Sequence, residues 1–270
     1  MPSAPHPLTR ARALESLVRS VAREVILPFY LRTARSSKSD GTLFSEADLE
    51  SQRRFSQALP ELLPGPVLGE EMSPEEQLRL WHEGRQGLWC IDPIDGTTNF
   101  LNGIPFFAVS IAYLVEHEPL LGVVYNPVTD EAFYAARGGG AWLNNTRLPL
   151  RRPAKGLGES VAGVDFKRVG RYLGNELTRH PPFYSQRNFG SSALEWCFAA
   201  AGRLDVYLHG GQMLWDYAAG HLILAEAGGV GMALDGRPLM APPGIKRGVI
   251  AAASPDLFSQ WRGWLSAHTR

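Results

Sequence analysis

An α+β or α/β chain of two sheets layered with helices is the fold class this sequence predicts. Three observations carry it. Apolar residues recur at helical spacing over Leu14–Phe29, and short β-rich segments separated by tight turns fill Phe106–Ala136. Strand and helix signals then alternate from Ser160 onward.

Taken in order, Leu14, Leu17, Val18, Val21, Ala22, Val25 and Phe29 form one helical stripe, disturbed near Pro28. Arg35–Gly41 is a polar loop. Ser45-Glu46-Ala47-Asp48 matches a capping box and opens a second helix running to about Leu63. Val67-Leu68-Gly69 is a short strand that delivers Glu70 and Glu71 to its end. Ser73-Pro74-Glu75-Glu76 repeats the capping pattern, with Pro at the first helical position. Strands are expected at Phe106–Val115, Leu120–Tyr125 and Glu131–Ala136, and Arg137–Trp142 closes that meander. Arg151–Gly158, basic and bearing Gly and Pro, divides the chain into halves at 1–150 and 151–270, packed as one unit. In the second half, strands are expected at Ser160–Val164, Asp205–Leu208, Val230–Ala233 and Gly248–Ala252. Helices are expected from about Arg168, over Ser191–Ala201 and Tyr217–Ala227, and from Pro255 to the end. No internal repeat interrupts the pattern.

Composition narrows the function. Apolar residues make up 44% and charged residues 20%, ordinary values for a globular protein. Lys+Arg and Asp+Glu both total 27, so no bulk charge points to nucleic acid or an acidic membrane. Cys90 and Cys197 both lie in apolar runs and read as buried free thiols, which fits a reducing compartment. The Pro-rich segment Met1–Pro7 lacks a signal-peptide core, and Ile104–Val115 is too short to span a bilayer as a helix. A cytoplasmic protein is expected.

The stretch with most chemistry is Asp92-Pro93-Ile94-Asp95-Gly96-Thr97-Thr98-Asn99-Phe100, preceded by the apolar strand Leu88-Trp89-Cys90-Ile91. Pro93 stiffens the turn, so Asp92 and Asp95 can face one site with the Ile94 carbonyl beside them. Gly96-Thr97-Thr98 then opens a helical turn with free N–H groups. A strand that ends in acids and turns into a helix start suits a divalent cation on one side and phosphate on the other. The donors are hard oxygens, and no Cys/His cluster argues for zinc. Asp-Pro and Asp-Gly turns would use the same residues without any chemistry.

These blocks, with Gly69-Glu70-Glu71 upstream and Trp215-Asp216 before an Ala/Gly-rich helix downstream, resemble the inositol monophosphatase family. That family belongs to the lithium-sensitive, magnesium-dependent phosphatase superfamily. The resemblance runs from about Leu8 to the C-terminus, with the blocks in family order. It implies a five-layer αβαβα sandwich, the sugar-phosphatase fold shared with fructose-1,6-bisphosphatase. It also implies Mg²⁺ as cofactor, two or three ions per site. Glu70, Asp92 and the Ile94 carbonyl would hold one ion, and Asp92, Asp95 and Asp216 a second, while Glu71 helps order the site. Thr97 would orient the attacking water, with Asp48 accepting its hydrogen bond. Gly96, Thr97 and Thr98 would meet the phosphate, with Gly96 leaving room for its approach. Ser191 and Ser192 would border the substrate alcohol, and Lys38 would lie on a mobile loop near a weaker ion site.

Several of these residues keep a plainer reading beside the functional one. Asp48 completes a capping box, Glu71 belongs to a charged loop, and Lys38 suits a solvated loop. Thr97, Asp216, Ser191 and Ser192 are all suited to helix N-caps. One position departs from the family. Seven residues before Asp216, where members acting on inositol phosphates place a Glu that binds substrate hydroxyls, this chain has His209. An imidazole can still hydrogen-bond a hydroxyl there but brings no negative charge.

The function expected from the resemblance is a Mg²⁺-dependent phosphomonoesterase that acts on a small polyol or sugar phosphate, such as inositol monophosphate, by direct water attack. Its rivals on the same metal site are a 3′-phosphoadenosine 5′-phosphate nucleotidase, a fructose-1,6-bisphosphatase and a histidinol-phosphatase. From another class, the chain could be a transcription-associated regulatory binding protein. A small phosphorylated substrate and a homodimer are the implied partners, with no membrane and no direct nucleic acid.

Overall fold

The computed structural model describes residues 7–32, 36–37, 43–44 and 46–268. Lys38 and Ser45, both singled out above, lie outside them. Helix α1 (Pro7–Val21) carries the predicted apolar stripe and widens into a π-helical turn at Ala22–Ile26 before the short α2 (Leu27–Phe29). Pro28 explains the widening. Its ring would collide with the Glu24 carbonyl in a regular α-helix, and the Leu27 N–H instead reaches back to the Ala22 oxygen.

After the two-residue strands β1 (Ser36–Ser37) and β2 (Leu43–Phe44), helix α3 (Glu46–Leu62) ends where the sequence indicates. β3 (Val67–Gly69) follows, then α4 (Pro74–Glu83), whose Ser73 hydroxyl accepts the Glu76 N–H at 3.3 Å. Next come β4 (Leu88–Asp95), α5 (Thr97–Leu101), β5 (Ala108–Val115), β6 (Glu118–Asn126) and β7 (Glu131–Ala136). The meander does not close at Trp142 as expected. It adds β8 (Gly140–Leu143) and β9 (Thr146–Arg147). β3 to β9 form a seven-stranded sheet in sequence order, parallel at β3–β4 and antiparallel elsewhere.

The second half supplies β10 (Val161–Asp165), α6 (Arg171–Arg179), β11 (Ser185–Arg187), α7 (Ser192–Ala200), β12 (Val206–Gln212), α8 (Leu214–Glu226), β13 (Val230–Ala233), β14 (Arg247–Ala252) and α9 (Pro255–His268). Its five strands order as β11-β10-β12-β14-β13. Strand β11 is not among those expected, and three boundaries in this half differ from the sequence reading by more than one residue. Helix α6 begins at Arg171 because Asp165 accepts the Lys167 N–H and holds the chain in a turn. Strand β12 runs on to Gln212 through a bulge after His209, which Gly210 and Gly211 permit. Helix α8 consequently starts at Leu214, earlier than expected.

Strand alternation sorts the sheet residues into two cores. Trp89, Ile91, Val109, Ile111, Val123 and Tyr125 pack with α1 and α3, whereas Leu88, Cys90, Ala112, Leu114 and Val124 pack with α7 and α8. The far side of α7 and α8 meets Tyr207, Val249 and Ala251 of the second sheet, whose other face is covered by α6 and α9. The layers therefore run helix, sheet, helix, sheet, helix: the five-layer αβαβα sandwich.

The middle layer is tight. An ideal Cβ on Gly220 of α8 would lie 2.5 Å from the Trp196 Cβ of α7. Trp196 is fully buried, and its indole N–H is fixed by the Gln212 side chain at 3.0 Å. Gly220→Val should therefore destabilise the protein by roughly 2–3 kcal/mol through overpacking, read as a lower urea midpoint at unchanged slope.

Candidate active site

Two acids three positions apart on a regular strand would face opposite sides of the sheet. In β4 the pairing with β5 slips between Asp92 and Asp95, and Pro93, which has no N–H to give the ladder, sits inside the slip. Both carboxylates consequently turn toward one cleft. Asp92 Oδ1 accepts the Ile94 N–H at 2.9 Å, closing the turn on itself. The Ile94 carbonyl accepts the Thr97 hydroxyl at 3.2 Å.

Glu70 arrives from the neighbouring strand. β3 runs parallel to β4 with Gly69 opposite Ile91, so Glu70 ends beside Asp92. Its turn is clamped from both flanks. Gln52 of α3 accepts the Glu71 N–H at 3.2 Å, and Gln77 of α4 donates to the Gly69 carbonyl at 2.9 Å.

Asp216 arrives from the other side, in the first turn of α8. It is not the N-cap that its sequence position suggested. Met213 is the N-cap, and Asp216 reaches back to accept its N–H at 2.9 Å. Ser110 of β5 donates to the Trp215 carbonyl at 2.9 Å and ties this helix start to the seven-stranded sheet. Single carboxylate oxygens of Asp92, Asp95 and Asp216 all lie within 4.8 Å of one another.

The cleft above them encloses about 1020 Å³, and its walls include Glu70, Glu71, Ile94, Gly96, Thr97, Thr98, Ser192 and His209. Asp48 is buried, and its charge is felt at Asp92. Thr97 is not an N-cap either. Gly96 takes that place with φ +94°, and Thr97 is the first residue of α5. The structure adds reasons for glycine at this position beside the one the sequence suggested. Besides its positive φ, a Cβ there would stand 3.1 Å from the Gly190 carbonyl oxygen.

Two expectations about the alcohol side need correction. Ser191 is fully buried and does not wall the cleft. As N-cap residue of α7 it donates its hydroxyl to Asp95 Oδ2, and the Ala193 N–H joins it at 2.8 Å. Ser191 thus positions a carboxylate. His209 lies on the cleft wall, but both ring nitrogens have protein partners. Nδ1 accepts the Gly211 N–H at 3.1 Å, so the proton is on Nε2, 3.1 Å from Asp165 Oδ2. The polar tip expected to meet a substrate hydroxyl is occupied within the protein.

Sequence reasoning also missed residues that share this cleft: Asp165, Lys167, Arg168, Glu195 and Lys246. They come from the end of β10 and the turn after it, from α7 and from the loop before β14, and no local motif announces them. Burial pushes the Glu195 carboxyl up to about 7 against the Phe189 N–H that it accepts at 2.9 Å.

Burial, reinforced by Glu70, Asp95, Asp216 and Asp48, holds the Asp92 carboxyl well above the usual carboxylate range. Burial likewise raises Asp95, against the donors from Ser191, Ala193 and Ser192. Asp216 is raised well above its ordinary value by burial, then by Asp95 and Glu70. A set of hard-oxygen acids in mutual repulsion, Asp92 and Asp95 buried and Asp216 half-buried, fits a divalent cation, whose charge would remove the penalty. No His or Cys belongs to that carboxylate set.

A model of the Inositol monophosphatase family matches residues 9–267. The chain belongs to the inositol monophosphatase family. Among family relatives, an inositol-1-monophosphatase of Mesorhizobium japonicum is 39% identical over 207 residues, covering 74% of this chain and 76% of that one. A Nus factor SuhB of Pasteurella multocida is 37% identical over 188 residues, covering 64% and 70%. The crystal structure of the extragenic suppressor protein suhB from Bartonella henselae superposes with a TM-score of 0.79 at 28% identity, covering 95% of this chain and 96% of that one. Family membership and the five-layer fold agree. Among the described residues, no helix is long and apolar enough to cross a membrane.

The electrostatics give a signed expectation. Acids whose folded pKa is raised stabilise the fold while protonated, and that contribution is lost as pH rises through the raised values. Protein stripped of divalent ions should therefore be less stable at neutral than at mildly acidic pH, and an added divalent cation such as Mg²⁺ should restore stability at the higher pH. Thermal melts at both pH values, with and without Mg²⁺ or chelator, check this.

Proposed function

We propose that the chain is a Mg²⁺-dependent phosphoric monoester hydrolase acting on a small polyol or sugar phosphate. The observation that carries the reading is the meeting of Asp92, Asp95 and Asp216 within 4.8 Å, in one cleft with Glu70 and the Gly96–Thr98 turn. Glu70, Asp92, Asp95, Asp216 and the Ile94 carbonyl would hold the cations. When bound, these ions neutralise the ester's charge and activate the attacking water.

The chain's own residues do the positioning. Thr97 presents a hydroxyl on the cleft wall, placed by its bond to the Ile94 carbonyl, to orient the attacking water. Asp48 is buried within Coulombic reach of Asp92; to accept from Thr97 as the family pattern implies, it needs the hydroxyl to turn away from the Ile94 carbonyl, to which it now donates. The turn at Gly96, Thr97 and Thr98 offers N–H groups to phosphate oxygens. Glu71, whose N–H is fixed by Gln52, orders the entrance. Ser191 and the Ala193 N–H hold Asp95 in place. Among the described residues, Cys90 and Cys197 are buried with thiol pKa values pushed up, chiefly by burial, which argues against a cysteine nucleophile.

Likeness to a Nus factor SuhB supports a second reading, a transcription-associated binding protein on the same fold. The intact carboxylate set favours the hydrolase. By family likeness we also assign it to the cytoplasm as a homodimer, which sedimentation would check.

Asp95→Asn removes one carboxylate charge without changing shape. It should lower kcat by roughly 100-fold or more while circular dichroism stays that of the wild type. Phosphate release within about twofold of wild type would overturn the assignment. Li⁺ should depress turnover by taking a Mg²⁺ position, and full activity in high Li⁺ would count against a family-type cation site.

A further inference from the structure

The alcohol side of the cleft carries positive charge that hydrolysis of a neutral polyol phosphate does not use. Lys167, Arg168 and Lys246 all line it. They come from two places far apart in sequence, the turn after β10 and the loop before β14. The end of β12 brings them together. A Cβ on Gly210 would fall 1.7 Å from the Arg168 carbonyl oxygen, and one on Gly211 would fall 3.8 Å from the Lys246 Cβ. Two glycines in succession let this strand run against both the Arg168 turn and Lys246.

Arg168 is held in place by a relay. Its guanidinium pairs with Asp165 Oδ2, which also takes the Nε2–H of His209 at 3.1 Å. Asp165 Oδ1 accepts the Lys167 N–H at 3.0 Å, so both oxygens of this carboxylate are engaged. Among the described residues, neither Lys167 nor Lys246 has a carboxylate within ion-pair distance. The charge of Arg168 extends to the carboxylate set, where it lowers the Asp216 pKa against the larger rise from burial. Apart from the carboxylates of the cation site and Glu71 in the same cleft, the three cations therefore face one saturated acid, Asp165. The other acid nearby, Glu195, is buried and bonded to the Phe189 N–H. A neutral polyol would leave Lys167 and Lys246 without a carboxylate partner, whereas an anion would meet them.

We propose that Lys167, Arg168 and Lys246 form a subsite for a second anionic group, a phosphate or a carboxylate, carried on the alcohol side of the substrate. The preferred substrate is then a bis-anionic phosphate ester, and His209 serves as a positioning residue that sets Asp165 and through it Arg168. The substrate assignment rests on the phosphatase reading above; the anion subsite itself does not.

The test compares inositol 1-phosphate with adenosine 3′,5′-bisphosphate and 3-phosphoglycerate under Mg²⁺, so that the second phosphate and the carboxylate are separate arms. Wild type should favour at least one bis-anionic ester in kcat/KM. The double variant Lys167→Ala/Lys246→Ala should lower that ratio about tenfold, mainly through KM, since it removes the two charges that have no carboxylate partner. A wild-type preference for inositol 1-phosphate, or a ratio that the double variant leaves alone, overturns the proposal. Calorimetric binding of adenosine 3′,5′-bisphosphate with Ca²⁺ replacing Mg²⁺ separates the two readings. If no ester is hydrolysed yet the double variant binds about tenfold more weakly, the phosphatase reading fails and the subsite stands. If no ester is hydrolysed and binding is equal in both proteins, the subsite falls too.

Discussion

The repulsion among closely set carboxylates is the constraint around which this molecule is arranged. Asp92, Asp95 and Asp216 are drawn from two strand positions and one helix start, and each resists ionising beside the others. Left to relax, such groups would move apart or admit water. They stay because each is fastened by its own donors: the Ile94 N–H for Asp92, Ser191 and Ala193 for Asp95, and the Met213 N–H for Asp216. None of those donors is a cation. The site is thus held in shape while its charge is left to be balanced from outside, the condition of a cation site rather than of an internal salt bridge.

The five layers make that fastening possible. Asp92 and Asp95 belong to the seven-stranded sheet, whereas Ser191 and Asp216 belong to helices of the middle layer. The bonds from Ser191 to Asp95 and from Ser110 to Trp215 therefore cross between layers. Close approach of α7 and α8 at Gly220, and of β6 to α8 where a Cβ on Gly122 would lie 3.1 Å from the Ala219 carbonyl, keeps the helix starts at fixed height over the sheet. The packing of small residues in the core thereby sets distances in the cleft.

What could be read in advance was what is local in the chain. The Asp92–Phe100 turn, the Ser73 cap and the strands of the first meander are written in neighbouring residues, and the structure places them there. Caps and boundaries that depend on distant partners could not be read. Asp216 looked like an N-cap because nothing nearby shows that Met213 takes that role. Ser191 looked like a pocket residue because its acceptor, Asp95, is 96 positions away. His209 looked available because its partner Asp165 belongs to a different strand, joined to β12 only in the sheet. Gln52 and Gln77, which clamp the Glu70 turn, gave no signal at all. A glutamine on a helix is ordinary until the neighbouring backbone is known.

The pairing of His209 with Asp165 also bears on how such a cleft could change over generations. Restoring an acid at position 209 would set two carboxylates together in a buried place, where Asp165 now depends on an imidazole donor. That single replacement is disfavoured on its own, and it would also loosen Arg168, whose anchor is the same Asp165 oxygen. A lineage moving between the two kinds of alcohol side would have to alter both positions nearly together. The two residues are thus coupled through one contact, and a change at either is felt at the other and at Arg168.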